Sequence, residues 1–246
     1  MAELGLDADR VSRTAELLCR RVEQRFPGSG LSRVGRDLLA LADRARERAG
    51  WIATPILPLR IAVGALILLI GAGLVGTLAA LGGPQRPLGV LEFVQVLEAG
   101  INDVVLVGAG IFFLLTLETR IKRRRALASL RELRAIAHII DMHQLTKDPE
   151  WVLGRGKETG LLPPRGMTRF ELSRYLDYCS EMLSITGKIA ALYIQRFDDD
   201  VALAAVNEVE DLTTGLSRKV WQKLMILSVI DRLPEAARAT PADAQP

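Results

Sequence analysis

The chain has 246 residues, enough for one ordinary domain plus membrane spans or for two small domains, with 49% hydrophobic and 25% charged residues and a formal net charge of +3. That charge is too small and too mixed in sign for a nucleic-acid-binding face, and two cysteines, Cys19 and Cys179, are too few for a disulfide framework. What is unusual is the distribution: no charged side chain falls between Arg60 and Arg86, whereas five of the six residues from Arg120 to Arg125 are basic.

The N-terminal MAELGLDADR is acidic and polar, unlike a secretory signal peptide, and no lipidation motif stands at either end. Val11, Ala15, Leu18, Val22 and Phe26 recur at helical spacing until Pro27-Gly28-Ser29-Gly30 breaks the pattern. Leu31, Val34, Leu38, Leu41 and Ala45 then form a second narrow apolar stripe, which predicts a helix seeking a partner surface in a bundle or short coiled coil. Leu31, Val34, Leu38 and Leu41, with Leu212 and Leu216 further on, are the candidate assembly face. Arg33, Arg36, Arg44, Arg46 and Arg48 on the same helix offer an alternative, contact with an anionic lipid surface. Residues 1–54 read as a cytoplasmic N-terminal segment of amphipathic helices.

Residues 55–118 read as a transmembrane hairpin. Ile61 to Leu81 is uncharged and would extend about 30 Å as a helix, one hydrocarbon thickness. Pro55 and Pro58 should separate it from the preceding helix, and Trp51 suits a headgroup region. Gly71, Gly73 and Gly76 match the dinucleotide pattern GxGxxG, but no strand precedes them, and they lie in the middle of the oily run. The small residues Ala72, Gly76 and Ala80 instead predict close helix packing, against a second span near Gly108 and Gly110. That second span is expected over about 102–118; its charge-free core, Val104 to Leu117, is roughly 21 Å of helix. Lys and Arg flank the two spans on their far sides and only Arg86 lies between them, so the connecting segment is expected outside and both termini in the cytoplasm.

Within the connection, residues 82–101, the stretch from Leu88 reads as a helix in the outer interface or as an extension of the second span. Glu92, Gln95, Glu98, Asn102 and Asp103 share one sector of about 140°. Glu92, Glu98 and Asp103 make a candidate acidic outer face, either solvated or lining a cation path between subunits.

Residues 119–234 are expected to form a cytoplasmic helical domain. No breaker interrupts the chain from the second span to Lys147-Asp148-Pro149, which predicts one helix from near Val104 to Gln144, roughly 60 Å long. A Gly- and Pro-rich loop over 146–167 follows, with Arg155, Lys157 and Arg165 as a candidate docking site. Gly154-Arg155-Gly156-Lys157 falls short of a P-loop, since Trp151 and Glu158 occupy positions that require Gly and Ser or Thr. Thr168 and Glu171 predict a capping box for a helix burying Leu172, Leu176, Cys179, Leu183, Thr186, Ala190 and Tyr193. Asp198-Asp199-Asp200 supplies a turn and a cap for a last helix that ends at Pro234 and buries Ala205, Val209, Leu212, Leu216, Val220, Leu224 and Leu227. The tail, 235–246, reads as disordered.

His138 and His143 are five apart, about 140° around a helix, which is poor spacing for a shared metal. No catalytic constellation, metal site or cofactor site is expected. The fold class is therefore all-α: a two-span transmembrane hairpin with a cytoplasmic antiparallel helical bundle. The functional expectation is a non-enzymatic scaffold or adapter of a bacterial-type inner membrane that self-associates or docks a cytoplasmic protein, with membrane lipids as surroundings and neither nucleic acid nor a small-molecule substrate. The alternative is an oligomeric channel or small transport component with an acidic mouth.

Overall fold

A computed structural model describes residues 5–80, 90–147, 149 and 167–231. Among these residues the chain is all-helical, without a strand. Among the described residues, helices follow in order: α1 (Ala8–Arg25), α2 (Gly30–Ala53), α3 (Leu57–Ala80), α4 (Val90–Leu145), α5 (Arg169–Ala191) and α6 (Asp200–Asp231). They fall into two compact units, one comprising Met1–Trp51 with Ala126–Pro246, the other Ile52–Arg125.

Local chemistry sets the helix ends. Asp7 caps α1, its carboxylate accepting from the Asp9 and Arg10 amides. At the next break Gly28 has φ 68°, a left-handed conformation that suits glycine, and the Ser29 hydroxyl accepts from the Ser32 amide to start α2. Helix α2 stops at Ala53, just before Pro55, and α3 begins at Leu57 with Pro58 in its first turn, where a missing N–H costs little. The Thr168 capping box forms as its sequence predicts, hydroxyl and carboxylate of Thr168 and Glu171 each meeting the other's backbone amide. Asp199 caps α6 by accepting from Ala202 N at 2.9 Å.

The first unit is organised around α5. Helices α1 and α2 run antiparallel, joined by Ser12 to Asp43 (2.5 Å) near one end and Arg36 to Glu23 (2.7 Å) near the other. Helix α1 lies antiparallel on α5, with Arg21 bidentate on Glu181 and Phe26 edge-on to Tyr175 and Tyr178. Helix α6 returns antiparallel along α5, since Arg169 at the start of α5 reaches the Leu227 carbonyl near the end of α6. The last stretch of α4 completes the packing through Arg44 to Glu132, Arg48 to Ser129 and Arg134 to Glu208. Leu176, Cys179, Met182, Leu183 and Ile189 of α5 are all fully covered. The seven positions expected on its buried face are buried, and so are Tyr175, Tyr178, Met182, Ile185 and Ile189, because neighbours approach from several sides. On α6 the buried line runs through Ala202, Val206, Val209, Thr213, Leu216, Val220 and Leu227, whereas Ala205, Leu212 and Leu224 sit at its margin, half-buried.

The second unit holds α3 and the first part of α4. Two helical stretches, within Gly30–Gly73 and Val104–Leu145, are long and apolar enough by length and composition to cross a membrane. Helix α4 begins earlier than the expected second span: residues 90–101 belong to the same 56-residue helix, about 84 Å long at 1.5 Å per residue.

Candidate functional site

The apolar stretches lack a covering. Leu68 and Leu69 on α3 are 75% and 70% exposed, and Val104 and Leu106 on α4 are 70% and 73% exposed. No described side chain over 57–75 or 101–121 is buried. Stripes and capped ends explain every other helix; these two are simply oily all round, as a helix solvated by hydrocarbon would be.

Among the described residues, Gly108 and Gly110 do not make the close contact expected of them. A side chain added at Gly71, Gly73, Gly108 or Gly110 would meet nothing within 4 Å. The expectation that Gly108 and Gly110 receive the first span is therefore corrected: at these positions each helix presents an open, shallow surface. The side chains of Gly76 and Ala80 lie outside the described residues.

One end of this unit carries a charge cluster that the sequence reading did not single out. Glu118 accepts from Arg60 Nε at 2.7 Å, Lys122 Nζ at 2.9 Å and the Ile56 amide at 3.3 Å. A single carboxylate thus ties the start of α3 to α4 and serves two cations. Its side chain and that of Lys122 are 14% and 11% exposed, while Arg60 stays 64% exposed. Spacing could have suggested the Glu118–Lys122 pair, four residues apart on one helix, but Arg60 is 58 residues away. Beyond it, the Arg120 guanidinium lies 5.0 Å from the centre of the Phe113 ring.

The candidate assembly face has a different fate. Leu31, Val34, Leu38 and Leu41 are buried inside the first unit, as is Leu216, and Leu212 is half-buried. The stripe on α2 finds its partner within its own chain, where Gly35 packs beside Cys19 and Met182. The α2 arginines considered for lipid are largely answered there too: Arg36 by Glu23, Arg44 and Arg48 by Glu132, and Arg46 by Asp9. Of the acidic outer face, Glu98 is exposed on α4; Glu92 and Asp103 lie on the same helix, their side chains outside the described residues. Arg155, Lys157 and Arg165 of the candidate docking loop fall outside the described residues.

The remaining polar features have structural partners. Asp198–Asp200 resolves into a cap at Asp199, as its position before a helix predicts. His138 is exposed; His143 is half-buried, its ring against Gly30 and its Nδ1 3.4 Å from the Tyr175 hydroxyl. Lys223 of α6 donates to the Gln144 and Lys147 carbonyls at 2.5 and 3.1 Å, capping the end of α4 from a neighbouring helix. A shallow groove of about 350 Å³ runs between α4 and α6, crossed by the Arg134–Glu208 pair. Among the described residues no three His, Cys, Asp or Glu side chains gather closely enough to hold a metal ion. No family model, curated protein or solved structure matches this chain.

Proposed function

We propose that this chain is an integral protein of a bacterial-type inner membrane, in which a two-span hairpin anchors a cytoplasmic antiparallel helical bundle that self-associates or docks a cytoplasmic protein. The observation that carries the anchor is the uncovered state of the two apolar stretches. Among the described residues, fourteen large apolar side chains from Leu57 to Leu115 are exposed. At about 1–2 kcal/mol for each one left in water, the total matches or exceeds the 5–15 kcal/mol by which domains are typically stable. Lipid removes that penalty. The Lys and Arg that flank the spans, set against the single Arg86 between them, favour cytoplasmic termini.

The scaffold role draws its support from a well-packed core whose outer surface keeps Trp221, 63% exposed, and Met225 one turn away on α6. Because the α2 stripe is consumed internally, association falls to such outward side chains.

Carbonate washing of membranes tests the anchor: the chain is expected to stay with the vesicles, and its release into the wash would refute insertion. Cysteines introduced at Gln85 and Gln222 test orientation. Gln85→Cys should label from the outside of intact cells, and Gln222→Cys only after permeabilisation; the reverse pattern would invert the topology. Native mass spectrometry in detergent addresses assembly, where a strict monomer with no bound protein would argue against the scaffold.

A further inference from the structure

We propose that Arg120 and Arg124, beside the exposed Phe113 ring, form a binding face for the phosphodiester headgroup of an anionic phospholipid. The inference rests on the membrane reading above and names one class of lipid that the second unit would hold.

The argument is a charge balance resolved residue by residue. In the first unit four of the five α2 arginines meet carboxylates of other helices: Glu23, Glu132 and Asp9 answer Arg36, Arg44, Arg48 and Arg46. At the charged end of the second unit stand Arg60, Arg120, Lys122 and Arg124, beside Arg123 and Arg125, which have interactions of their own, and Glu118 is the one acidic residue between Val104 and Arg125. Glu118 is already shared by Arg60 and Lys122. Arg120 and Arg124 are exposed and four apart, so they project from one face of α4. Phe113 lies seven residues before Arg120 on that face, half exposed, with the guanidinium over its ring.

The pattern is apolar aromatic, then stacked guanidinium, then a second guanidinium one turn further along the helix. A phospholipid presents the same order: acyl chain, then phosphate. The stacked guanidinium keeps its N–H groups free to point at an acceptor, and guanidinium forks match phosphate oxygens two at a time. An anionic headgroup gains from the charges of Arg120 and Arg124, whereas a zwitterionic one brings a compensating cation.

The test reconstitutes the full-length chain in vesicles of mixed phosphatidylglycerol and phosphatidylcholine with matched acyl chains. Co-purifying lipid is then counted by native mass spectrometry. The intact protein should retain phosphatidylglycerol in preference. At about 1 kcal/mol per basic residue near a headgroup surface, Arg120→Gln or Arg124→Gln alone should lower that preference roughly fivefold, and both together about thirtyfold. A control, Arg196→Gln with Arg218→Gln, removes the same charge from exposed positions of the first unit and should leave the preference intact. Circular dichroism of each variant establishes that helicity is kept, and Arg120→Lys with Arg124→Lys should restore part of the preference by charge alone.

Three results would overturn the proposal: equal retention of both lipids by the intact protein, equal loss in the control, or displacement of the retained lipid by inorganic phosphate at matched concentration. In each of these the protein stays in the bilayer, so the membrane reading survives. Release of the unmodified protein by carbonate would instead remove both.

Discussion

Cys179 sits fully covered on α5, and burial pushes its thiol up to about 12, so little thiolate forms near neutrality. Burial raises Cys19 as well, with Glu23 adding to the effect. Both thiols should therefore resist maleimide in the folded protein and react only after denaturation. Rapid labelling of either under native conditions would show that α5 is not packed as described. This low background is also what makes single-cysteine topology mapping practical here. His143 behaves oppositely: burial, then the nearby Lys147 charge, holds it below the ordinary value of 6.5. Folded protein then binds fewer protons at this ring than unfolded chain, so acid favours unfolding. The stabilising contribution is complete above the unfolded value, erodes as pH falls through it, and stops changing below the folded value. Thermal melts in detergent between about pH 7.5 and 5 should show stability declining toward acid, with a shallower decline for His143→Gln.

At the scale of elements, α5 carries the first unit. Leu176→Ala removes a side chain with 0% exposure and should destabilise by about 2–5 kcal/mol, whereas Leu17→Ala, 62% exposed on α1, should stay within about 0.5 kcal/mol. Denaturant titration in detergent compares them; equal effects would mean that α5 is not central. The sequence made much of this readable. Spacing located the buried stripes of α1 and α2, Thr168 and Glu171 located the start of α5, and Pro55 with Pro58 located the gap before α3. It could not reveal that α5 is enclosed on several sides, because Tyr175, Tyr178 and Ile185 fall off the seven-residue line that periodicity selects. Nor could it match Arg21 to Glu181 or Lys223 to the Gln144 carbonyl, since such partners are chosen by the fold and lie far away in the chain. The same holds for the arginines of α2: spacing shows a basic helix face but not the carboxylates that meet Arg36, Arg44, Arg46 and Arg48. For the small residues of α3 and α4, local pattern signals permission for close approach, and Gly108 and Gly110 show that permission need not be used.

At the scale of the whole molecule, the two units divide along physical lines. One has a buried apolar core, with side chains such as Leu17 and Trp221 left outside it; the other buries no described side chain over 57–75 or 101–121. In the first, ion pairs decorate a hydrophobic core, and exposed pairs of this kind contribute little individually. Its stability should accordingly change little with added salt. Lipid retention at Arg120 and Arg124 should weaken as salt rises, because exposed charges are screened over about 10 Å at 0.1 M. The sequence drew its middle segment over 55–118 from the charge-free runs, and the second compact unit runs over Ile52–Arg125.

The first unit is also discontinuous, built from residues before and after the apolar stretches, and Arg21 and Glu181 meet across 160 positions of chain. During synthesis at roughly 5–20 residues per second, α1 and α2 must wait about 8–30 s after they emerge from the ribosome before α5 exists to receive them. Throughout that delay Leu18, Val22, Leu31 and Leu38 have only one another for shelter. The newborn chain thus depends on the order of events: an early hairpin of α1 and α2, then the apolar stretches, then closure by the late-arriving helix.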